Sequence, residues 1–474
     1  MATFGAVNFA RDVVGSAPQR ARAMVSISRE GERREWSFGE IADSSARLAG
    51  ALARHGVGRG DVVMTLIGNR PEWVLTLLAC FRIGAVGLPC SEQLRAADLR
   101  YRISAARPKL ILGDEHGITE LSAAAPDCRV LTVPDDGLFA ERHAAAVELA
   151  PDDPCLITFT SGTTGEPKGI VHGQRYLPGQ RLQASQWLGA RDDDLVWCTA
   201  ASGWSKSARN AFIAPWLQGA AALLHDARFD PTQRLEILAT ERVNVLCMAP
   251  TEYRVIAKRT TPGPMPAMRE LVAAGEALNP EVLRVFREAT GLEIRDGYGQ
   301  TETGQLTAMP IGEPVRPGSM GRPLPGVDLQ VHREAGEERE GELVLADPTT
   351  DPTFFIGYLD GAPAPTAEPW RTGDRVTQDA AGYLYFEGRT DDVIISAGYR
   401  IGPFEVESAL VSHRSVADAA VVGAPDDERG SVVRAVVVLR DGFVASDGLA
   451  RELQEHVKTN TAPYKYPRIV EFAS

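Results

Sequence analysis

The pattern of apolar and polar positions changes its period repeatedly along the first third of the chain. Apolar residues recur every three or four positions over 38–55, which predicts a helix. The segment GVGRGD then indicates a turn, and the run VVMTLI at 62–67 is typical of a buried strand. A second helix is predicted over 71–83, followed by a short strand at 84–89. Helices that alternate with short apolar strands predict an α/β fold class with largely parallel sheets.

The pattern changes again after Arg389. Short strand-like runs (VIIS, AAVVG and VVRAVVVL) are separated by a predicted helix over 403–411 and followed by a last helix near 449–458. We expect a large N-terminal domain of layered sheets flanked by helices over 1–388, and a small mobile α+β domain over 389–474. Three segments rich in proline or charge are predicted surface loops: 260–268, 332–341 and 360–369.

Composition and charge narrow the classes of function. The chain has 474 residues, of which 44% are hydrophobic and 24% charged, as in ordinary globular proteins. Its 63 acidic and 50 basic residues give a net charge of −13. Phosphate backbones and anionic lipids repel such a chain, so binding to nucleic acid or to a membrane surface is disfavoured. An anionic ligand therefore requires a locally positive site.

The cysteines and the amino-terminal residues indicate in which cellular compartment the protein is expected. The six cysteines form no CxxC motif, which disfavours a disulfide framework or a zinc site and favours a reducing compartment. The first residues include Arg11 and Asp12 and lack the apolar core of a secretory signal. No apolar run reaches the roughly 18 residues of a membrane span. We therefore expect a cytoplasmic protein, either a monomer or a homodimer.

The strongest chemical signal is the loop SGTTGEPKG at 161–169, which follows a strand-like segment at 156–160. Glycines let backbone amides approach phosphate oxygens, hydroxyl groups donate hydrogen bonds, and Lys168 supplies a positive charge. The loop does not fit the P-loop pattern, because its lysine follows a proline and no serine or threonine comes next. We interpret it as a phosphate cradle formed by Thr160, Ser161, Gly162, Thr163, Thr164, Gly165, Glu166, Pro167 and Lys168.

Further motifs follow in a characteristic order along nearly the whole chain. They are AGEA at 274–277, DGYGQTET at 296–303, WRTGD at 370–374, GRTDD at 388–392, GYRI at 398–401 and APYKYPR at 462–468. With the phosphate cradle, they make residues 36–472 resemble the adenylate-forming (ANL) superfamily of acyl-CoA synthetases, luciferases and adenylation domains of peptide synthetases. The ending APYKYPR is similar to that of the medium-chain and aryl (benzoate-like) acyl-CoA synthetases.

The resemblance implies an AMP-forming acid:CoA ligase. Such an enzyme uses ATP and Mg²⁺ to convert a medium-chain fatty or aromatic carboxylic acid into an acyl-adenylate, and then transfers the acyl group to CoA as a thioester. Its partners would be three small molecules: the acid, ATP and CoA. Two alternatives stay open. They are a stand-alone adenylation domain that loads a carrier protein, and a catalytically weakened protein that binds nucleotide or acyl-adenylate.

The resemblance implies four catalytic residues. Lys168 would contact the β- and γ-phosphates, and Glu302 would bind Mg²⁺, since a hard carboxylate oxygen suits that hard cation. Thr301 would contact the α-phosphate. Arg400 would contact phosphate in one orientation of the small domain. Attack at a phosphorus centre depends mainly on positioning and on neutralising the charge of the phosphate oxygens, so these residue types suit the task.

The resemblance also implies how the nucleoside is bound. Tyr298 would offer its ring face to adenine. The carboxylate of Asp374 would accept hydrogen bonds from both ribose hydroxyls, and Arg389 would make a second ribose contact. The full set of residues expected to bind ATP outside the phosphate cradle is Gly275, Glu276, Ala277, Asp296, Gly297, Tyr298, Gly299, Gln300, Thr301, Asp374, Arg389 and Arg400.

Two residues are implied for the acyl pocket, Trp204 and Gly299. Acetyl-CoA synthetases of the family have tryptophan where this chain has Gly299, so the missing indole predicts room for an acid larger than acetate or propionate. Trp204 resembles the acyl-pocket tryptophan of the medium-chain branch. Lys206 and Arg209, in the same segment as Trp204, are interpreted as solvated or ion-paired side chains rather than substrate ligands.

The second half-reaction requires CoA at the same carbonyl carbon. The family achieves this by rotating its small domain, and Asp391 is the hinge by resemblance. The residues implied to bind CoA are Ala397, Gly398, Tyr399, Arg429, Lys458, Tyr466, Pro467 and Arg468.

The family continues past PYKYPR to a segment Pro-Lys-Thr-x-x-Gly-Lys, whose last lysine bridges the acyl carboxylate and the α-phosphate. This sequence ends at Ser474, before that segment. Either the sequence is trimmed or the natural chain lacks the lysine. In the second case we expect acyl-adenylate formation to be slower by about 10²–10³, with thioester formation from supplied acyl-adenylate retained.

Overall fold

The computed structural model describes residues 8–160, 167–275, 278, 280–333, 340–390, 392, 394–396, 399–426 and 429–473, without the side chains of residues 280, 395, 399, 400 and 430. Within this part, three large sheets form the N-terminal domain and a smaller unit follows. The mixed α/β fold class, with a large and a small domain, is confirmed. The exact boundary between 388 and 389 stays a prediction.

The first sheet has seven strands and is parallel except at one edge. Its central strands Leu195–Cys198, Ala221–His225 and Val245–Cys247 are buried along their whole length, as is typical of parallel strands covered on both faces. Across the sheet, the seven strands are Ile294–Gly297, Glu270–Ala274, Val245–Cys247, Leu195–Cys198, Ala221–His225, Arg22–Ile27 and Arg33–Ser37.

The second sheet also has seven strands. Its central strands are parallel. At one side Lys168–Gly173 pairs antiparallel with Pro154–Thr160, and Gly357–Tyr358, distant in the chain, pairs antiparallel with Lys168–Gly173. In order, the strands are Gly357–Tyr358, Lys168–Gly173, Pro154–Thr160, Val86–Cys90, Val62–Leu66, Leu110–Asp114 and Arg129–Val133.

The third sheet differs from the expectation of largely parallel sheets, because all its described pairs are antiparallel. A short connection joins the neighbouring strands Trp370–Gln378 and Leu384–Arg389, and a short turn can only join antiparallel neighbours. Its strands are Thr307–Ala308, Ser319–Pro323, Leu384–Arg389, Trp370–Gln378, Glu340–Leu345 and Leu329–His332.

The two predicted helices near the start lie between the first two sheets, since one apolar cluster contains residues of both sheets and of both helices. The first begins with a capping box in which Ser37 and Glu40 exchange hydrogen bonds. Every described helix is too short or too polar to cross a lipid bilayer. The helices of seven or more residues are Phe38–Arg54, Pro71–Ile83, Ala96–Ala106, Ile118–Ala124, Pro231–Thr240, Pro250–Arg259, Pro280–Thr290, Pro403–Val411 and Asp447–Asn460.

The small domain has its own apolar core, which includes Val406, Leu410, Val437 and Leu453. Strands Ile394–Ser396 and Tyr399–Ile401 pair antiparallel. The main sheet consists of Val416–Asp426, Gly430–Leu439 and Ile469–Ala473. The rings of Phe386, in the third sheet, and Phe404, in the small domain, lie 5.5 Å apart and join the two domains.

Candidate active site

The phosphate cradle connects two strands that lie side by side. They are antiparallel, and Thr160 at the end of one lies directly opposite Lys168 at the start of the other. The hydroxyl of Tyr101 donates to the carbonyl oxygen of Pro167 at 2.9 Å and fixes that end of the loop. The exposed ammonium of Lys168 lies 5.9 Å from the ring centroid of Tyr358. Ser161, Gly162, Thr163, Thr164, Gly165 and Glu166 lie outside the described residues.

A tight hairpin carries the motif DGYGQTET. The amides of Leu306 and Thr307 both donate to the carbonyl oxygen of Tyr298, at 2.8 and 3.0 Å. A Cβ atom on Gly299 would stand 1.8 Å from the carbonyl oxygen of Gly304. The close pairing of the hairpin therefore requires glycine at 299, independently of any effect on the acyl pocket.

The carboxyl group of Glu302, next to the partly buried Thr301, lies within electrostatic reach of the cradle lysine. Burial raises the pKa of Glu302 above its ordinary value, and the positive charges of Arg389 and Lys168 oppose that rise. The amide of Phe355 donates to the backbone carbonyl of Glu302 at 2.8 Å and holds this part of the hairpin. The structure therefore brings together two motifs that are distant in sequence.

Asp374 is the centre of a hydrogen-bond network below this hairpin. Its carboxylate accepts from the hydroxyl of Tyr298, from Nε2 of Gln300 at 2.9 Å and from Nη1 of Arg389 at 3.1 Å. Trp370 Nε1 donates to Oε1 of Gln300 at 3.0 Å and fixes the orientation of that amide. Burial nevertheless raises the pKa of Asp374, with these bonds opposing the rise.

A cavity of about 510 Å³ collects most of the residues predicted to bind the nucleoside. The sequence missed five side chains that also line it, from Arg254, Met320, Phe386, Phe404 and Glu407. Of these five residues, only Phe386 lies next to a recognised motif, two residues before GRTDD, and could have been suspected from the sequence. The predicted residues that line the cavity are Gly275, Asp296, Gly297, Tyr298, Gly299, Gln300, Asp374 and Arg389.

Lys206 lines a second cavity and lies against Gly275, which lines both cavities. Its ammonium donates to the carbonyl oxygen of Ala274. The φ of Gly275 is +107°, so the backbone favours glycine there, and a Cβ atom at this position would also displace the ammonium, from which it would stand 1.8 Å. Burial raises the pKa of Asp296 to about 8, and the charge of Lys206 opposes the rise. Arg209 is only 2% exposed, so of the two expectations for it, a solvated or an ion-paired side chain, the solvated one does not hold.

The second cavity has a volume of about 370 Å³ and contains Trp204 in its wall. Gly275 lines both cavities, so they adjoin at a residue without a side chain. Trp204 is 66% exposed and therefore forms an edge of the cavity rather than part of the core. Gly299, the other residue predicted for the acyl pocket, lines the first cavity and not the second.

Comparison with known proteins identifies the family. The family model of the AMP-binding enzyme matches residues 11–359, and the model of the AMP-binding enzyme C-terminal domain matches residues 405–474. The chain belongs to the AMP-binding enzyme family. The predicted membership in the adenylate-forming superfamily is thereby confirmed, and the relatives below place the chain with its acyl-CoA synthetases of medium-chain and aryl type.

Three similar proteins cover nearly the whole of this AMP-binding enzyme. Human acyl-coenzyme A synthetase ACSM4, mitochondrial, is 39% identical, with 98% of this chain and 87% of the relative covered. A crystal structure of an acyl-CoA synthetase from Brucella canis is 32% identical, with a TM-score of 0.78 and coverage of 99% and 91%. A benzoate CoA ligase from Burkholderia xenovorans LB400 is 27% identical, with a TM-score of 0.88 and coverage of 98% and 96%.

The basic residues predicted to bind CoA fall into two places in this AMP-binding enzyme. Lys458 and Arg468 lie 4.4 and 5.0 Å from the ring centroid of Tyr466 and form one cationic cluster with it. Gln454 donates to the carbonyl oxygen of Pro467 at 3.0 Å. Arg429 instead lines an open cavity together with Arg389, Phe386 and Phe404.

Several predicted site residues are not described, or are described without their side chains. Asp391, Ala397 and Gly398, as well as Glu276 and Ala277 of the AGEA motif, lie outside the described residues. Tyr399 and Arg400 belong to the strand Tyr399–Ile401, but their side chains are not described. Their roles stay predictions.

Proposed function

We propose that this AMP-binding enzyme activates a medium-chain fatty acid or an aromatic acid as its CoA thioester. Its relatives are acyl-CoA synthetases and acid:CoA ligases, so the activity class is that of an AMP-forming acid:CoA ligase. The observation that carries the proposal is that Lys168, Arg389 and Asp374 all lie within electrostatic reach of Glu302, while the Asp374–Arg389 pair lines the cavity of about 510 Å³. No observation favours a carrier-loading domain or a protein that only binds nucleotide.

In the first step, a carboxylate oxygen of the acid attacks the α-phosphorus of ATP, and the bond to the bridging oxygen breaks, so that pyrophosphate leaves. Both reactants are anionic, so the site must neutralise charge and hold them in line. Lys168 and the loop that starts at Thr160 would hold the β- and γ-phosphates. Thr301 would contact the α-phosphate, where negative charge increases as the bond forms, and Arg400 would contact phosphate in one orientation of the small domain.

Magnesium fits the donor set at Glu302. In nucleotide sites the ion is held by one or two carboxylates together with substrate phosphates and water. Glu302 is a largely buried carboxyl group beside Lys168, and no cluster of three or more His, Cys, Asp or Glu side chains suited to a metal occurs among the described residues. When bound, the ion supplies positive charge to the phosphate oxygens. Glu302 would hold the magnesium ion next to Thr301, the residue proposed to contact the α-phosphate.

The nucleoside would be bound by the network around Asp374. The Tyr298 ring would stack on adenine, while its hydroxyl stays bonded to Asp374. The carboxylate of Asp374 has accepting capacity for the ribose hydroxyls because each oxygen offers two lone-pair directions. Arg389 would both orient this carboxylate and contact the ribose. Gly275 would let the adenine approach the backbone closely.

The acid would occupy the cavity lined by Trp204, which adjoins the nucleotide cavity at Gly275. A volume of about 370 Å³ suits an acid larger than acetate or propionate. The names of the relatives include a benzoate CoA ligase, which supports an aromatic substrate class. The medium-chain class is supported by the resemblance of the PYKYPR ending to that branch.

In the second step, the CoA thiol would attack the acyl carbon, and AMP would leave. Rotation about a hinge near Asp391 would exchange the groups that face the cavity. The cluster of Lys458, Tyr466 and Arg468 would bind the anionic end of CoA, together with Arg429. Ala397, Gly398 and Tyr399 would line the pantetheine path.

The cellular setting is part of the proposal. All six cysteines are free thiols, and five of them are buried, which supports a reducing compartment such as the cytoplasm. We further propose a monomer or homodimer that acts on small molecules and does not bind nucleic acid, as the net charge of −13 supports.

The decisive experiment incubates the full chain with ATP, Mg²⁺ and CoA and with a panel of acetate, hexanoate, octanoate, benzoate and substituted benzoates, followed by thioester detection. We expect octanoate or an aromatic acid to give the highest kcat/KM. Turnover of acetate far above hexanoate and benzoate would contradict the proposed substrate class. AMP release with carrier proteins but not with free CoA would favour a carrier-loading domain. Tight ATP binding without thioester from any acid would favour a binding protein.

A further inference from the structure

A third cavity, of about 710 Å³, adjoins the cavity of about 370 Å³ that is proposed to hold the acid. We call the third one the outer cavity and the second one the acyl cavity. They share four lining residues, Glu92, Gln93, Arg228 and Phe229. Among the described residues, the outer cavity shares none with the nucleotide cavity, which meets the acyl cavity at Gly275. The acyl cavity therefore has two distinct ends, one at Gly275 and one at Arg228.

Two loops from different sheets meet at the second of these ends. Gln93 comes shortly after the strand Val86–Cys90 of the second sheet, and Arg228 comes shortly after the strand Ala221–His225 of the first. Both strands pair with parallel neighbours, and α/β folds bind ligands beyond the carboxyl ends of such strands. The side chains of Gln93 and Arg228 are exposed, so a ligand that reaches this end can contact them.

Every carboxylate that lines the acyl cavity is already engaged by a guanidinium. The pairs are Glu92–Arg29, Asp226–Arg29 at 3.3 Å, Asp226–Arg70 at 4.0 Å and Glu252–Arg234 at 3.0 Å. None of these carboxylates bonds to Arg228.

Arg228 has no partner in the described part of the chain, neither in an ion pair nor in a hydrogen bond. Asp230, two residues further on, accepts from the amide of Gln233 at 2.8 Å as a helix cap. The imidazole of His225 adds no charge near pH 7, because burial, and then the charge of Arg234, lower its pKa to about 4. Arg228 therefore leaves an unpaired positive charge at this end of the acyl cavity.

This charge makes the far end of the acyl cavity suited to an anion. In a chain of net charge −13, an unpaired guanidinium marks a locally positive site. Guanidinium groups bind carboxylates through charge-assisted and often bidentate hydrogen bonds. Apolar side chains, including those of Trp204, Phe229 and Pro250, also line the cavity. A molecule with a carboxylate at each end and an apolar segment between them matches this arrangement.

We propose that the acid activated by this enzyme is a dicarboxylic acid with an aliphatic or aromatic spacer, and that Arg228 binds its second carboxylate. This inference rests on the proposed acid:CoA ligase function and narrows its substrate class. Only the carboxylate at Gly275 would be activated, because only that end adjoins the nucleotide cavity. The outer cavity leaves room for water around the second carboxylate, so binding does not require its full dehydration.

The test compares dicarboxylic acids with monocarboxylic acids of the same carbon number, on the full chain with ATP, Mg²⁺ and CoA. The pairs are adipate with hexanoate, suberate with octanoate, sebacate with decanoate, and terephthalate with p-toluate. For at least one spacer we expect kcat/KM of the dicarboxylate to exceed that of its partner, by about tenfold. A hydrogen bond to a charged group typically contributes at least that factor.

Variants of Arg228 then connect this preference to the guanidinium. Arg228→Gln should lower the ratio of the two kcat/KM values by about tenfold, and Arg228→Lys, which keeps the charge, should retain part of it. Arg95→Gln is the matched control and should keep the wild-type ratio. Arg95 lines the outer cavity but not the acyl cavity, and it is paired with Glu120 at 3.1 Å.

The outcomes separate this inference from the function on which it rests. Monocarboxylic acids turned over as well as or better than their dicarboxylic partners, for every spacer, would overturn the inference and leave the ligase function intact. An equal ratio in Arg228→Gln and the wild type would also overturn it. Thioester from none of these acids would instead contradict the proposed ligase function, and the inference with it.

Discussion

The Nη1 atom of Arg389 lies 3.1 Å from Oδ1 of Asp374, and the two residues face each other directly on neighbouring antiparallel strands. Their pairing is therefore set by the register of the third sheet. The same guanidinium donates to the carbonyl oxygen of Thr372 at 3.1 Å, so its plane is fixed before any nucleotide binds. A preordered carboxylate of this kind loses little side-chain entropy when it accepts ribose hydroxyls.

We expect Asp374→Asn to raise the KM for ATP by roughly 10- to 100-fold, because a hydrogen bond to a charged group contributes about 1.5–3 kcal/mol. The KM for the acid should change much less. Steady-state kinetics with each substrate varied in turn separates the two constants. Asp328→Asn, an exposed carboxylate directly before the strand Leu329–His332, is the matched control. An unchanged KM for ATP would remove Asp374 from the nucleotide site.

We expect Glu302→Gln to lower kcat by about 10²–10³, the usual loss when one preorganised electrostatic group is removed. The amide binds a hard cation more weakly than a carboxylate, so half-maximal activity should also require more Mg²⁺. Titration of activity with Mg²⁺ at saturating ATP measures this shift. The control is Glu288→Gln, on an exposed helix face. A lower kcat with the same Mg²⁺ midpoint would argue against a metal-binding role.

Asp296→Asn should stabilise the nucleotide-free protein at neutral pH. Burial raises the pKa of Asp296 to about 8 in the folded chain, whereas an unfolded aspartate titrates near 3.9. Between these values the folded state binds more protons than the unfolded state, so the free energy of unfolding falls as pH rises from about 4 to 8. At pH 7 the amide should remove a penalty on the order of 1–4 kcal/mol.

Thermal unfolding between pH 5 and pH 8 measures this effect. The melting temperature of the wild type should fall more steeply with pH than that of Asp296→Asn. Asp328→Asn should follow the wild type. Parallel profiles of Asp296→Asn and the wild type would show that Asp296 is ionised in the folded chain.

Trp204→Ala should raise the KM for the acid by roughly tenfold, about 1.4 kcal/mol, through loss of apolar contact. The KM for ATP should stay the same. Because Trp204 is 66% exposed, its removal should barely change the melting temperature. Phe443→Ala, at a site 38% exposed in the small domain, is the control. If the KM values of octanoate and benzoate are both unchanged, Trp204 is not part of the acyl pocket.

Asp391→Pro should block rotation of the small domain and lower the overall rate while sparing one half-reaction, because proline fixes φ. Pyrophosphate exchange reports the first half-reaction, and thioester formation from supplied acyl-adenylate reports the second. Equal loss of both would count against a hinge at this residue.

The sequence predicted the elements of the fold well where apolar periodicity was strong. The helix Phe38–Arg54 and the helix Pro71–Ile83 match their predicted ranges within one residue. The antiparallel third sheet was missed because some of its strands are short and alternate irregularly between buried and exposed positions, so they give no clear strand pattern. Pairing between such strands depends on long-range packing that a local pattern does not contain.

For the site, motif order predicted that the phosphate cradle and the DGYGQTET segment belong together, and the structure brings Lys168 and Glu302 within electrostatic reach. The sequence could not show that Gly299 is required by the backbone of Gly304, since this contact arises only when the hairpin forms. It also missed Arg254 and Met320, because nothing in their neighbourhood marks them as cavity walls.

The contact between Phe386 and Phe404 closes the side of the 510 Å³ cavity at which the two domains meet. One ring comes from each domain, and both face the same space. Any swing of the small domain must separate the two rings and open that side of the cavity to solvent. In the proposed mechanism, the rotation that admits CoA would therefore also open the route by which AMP leaves.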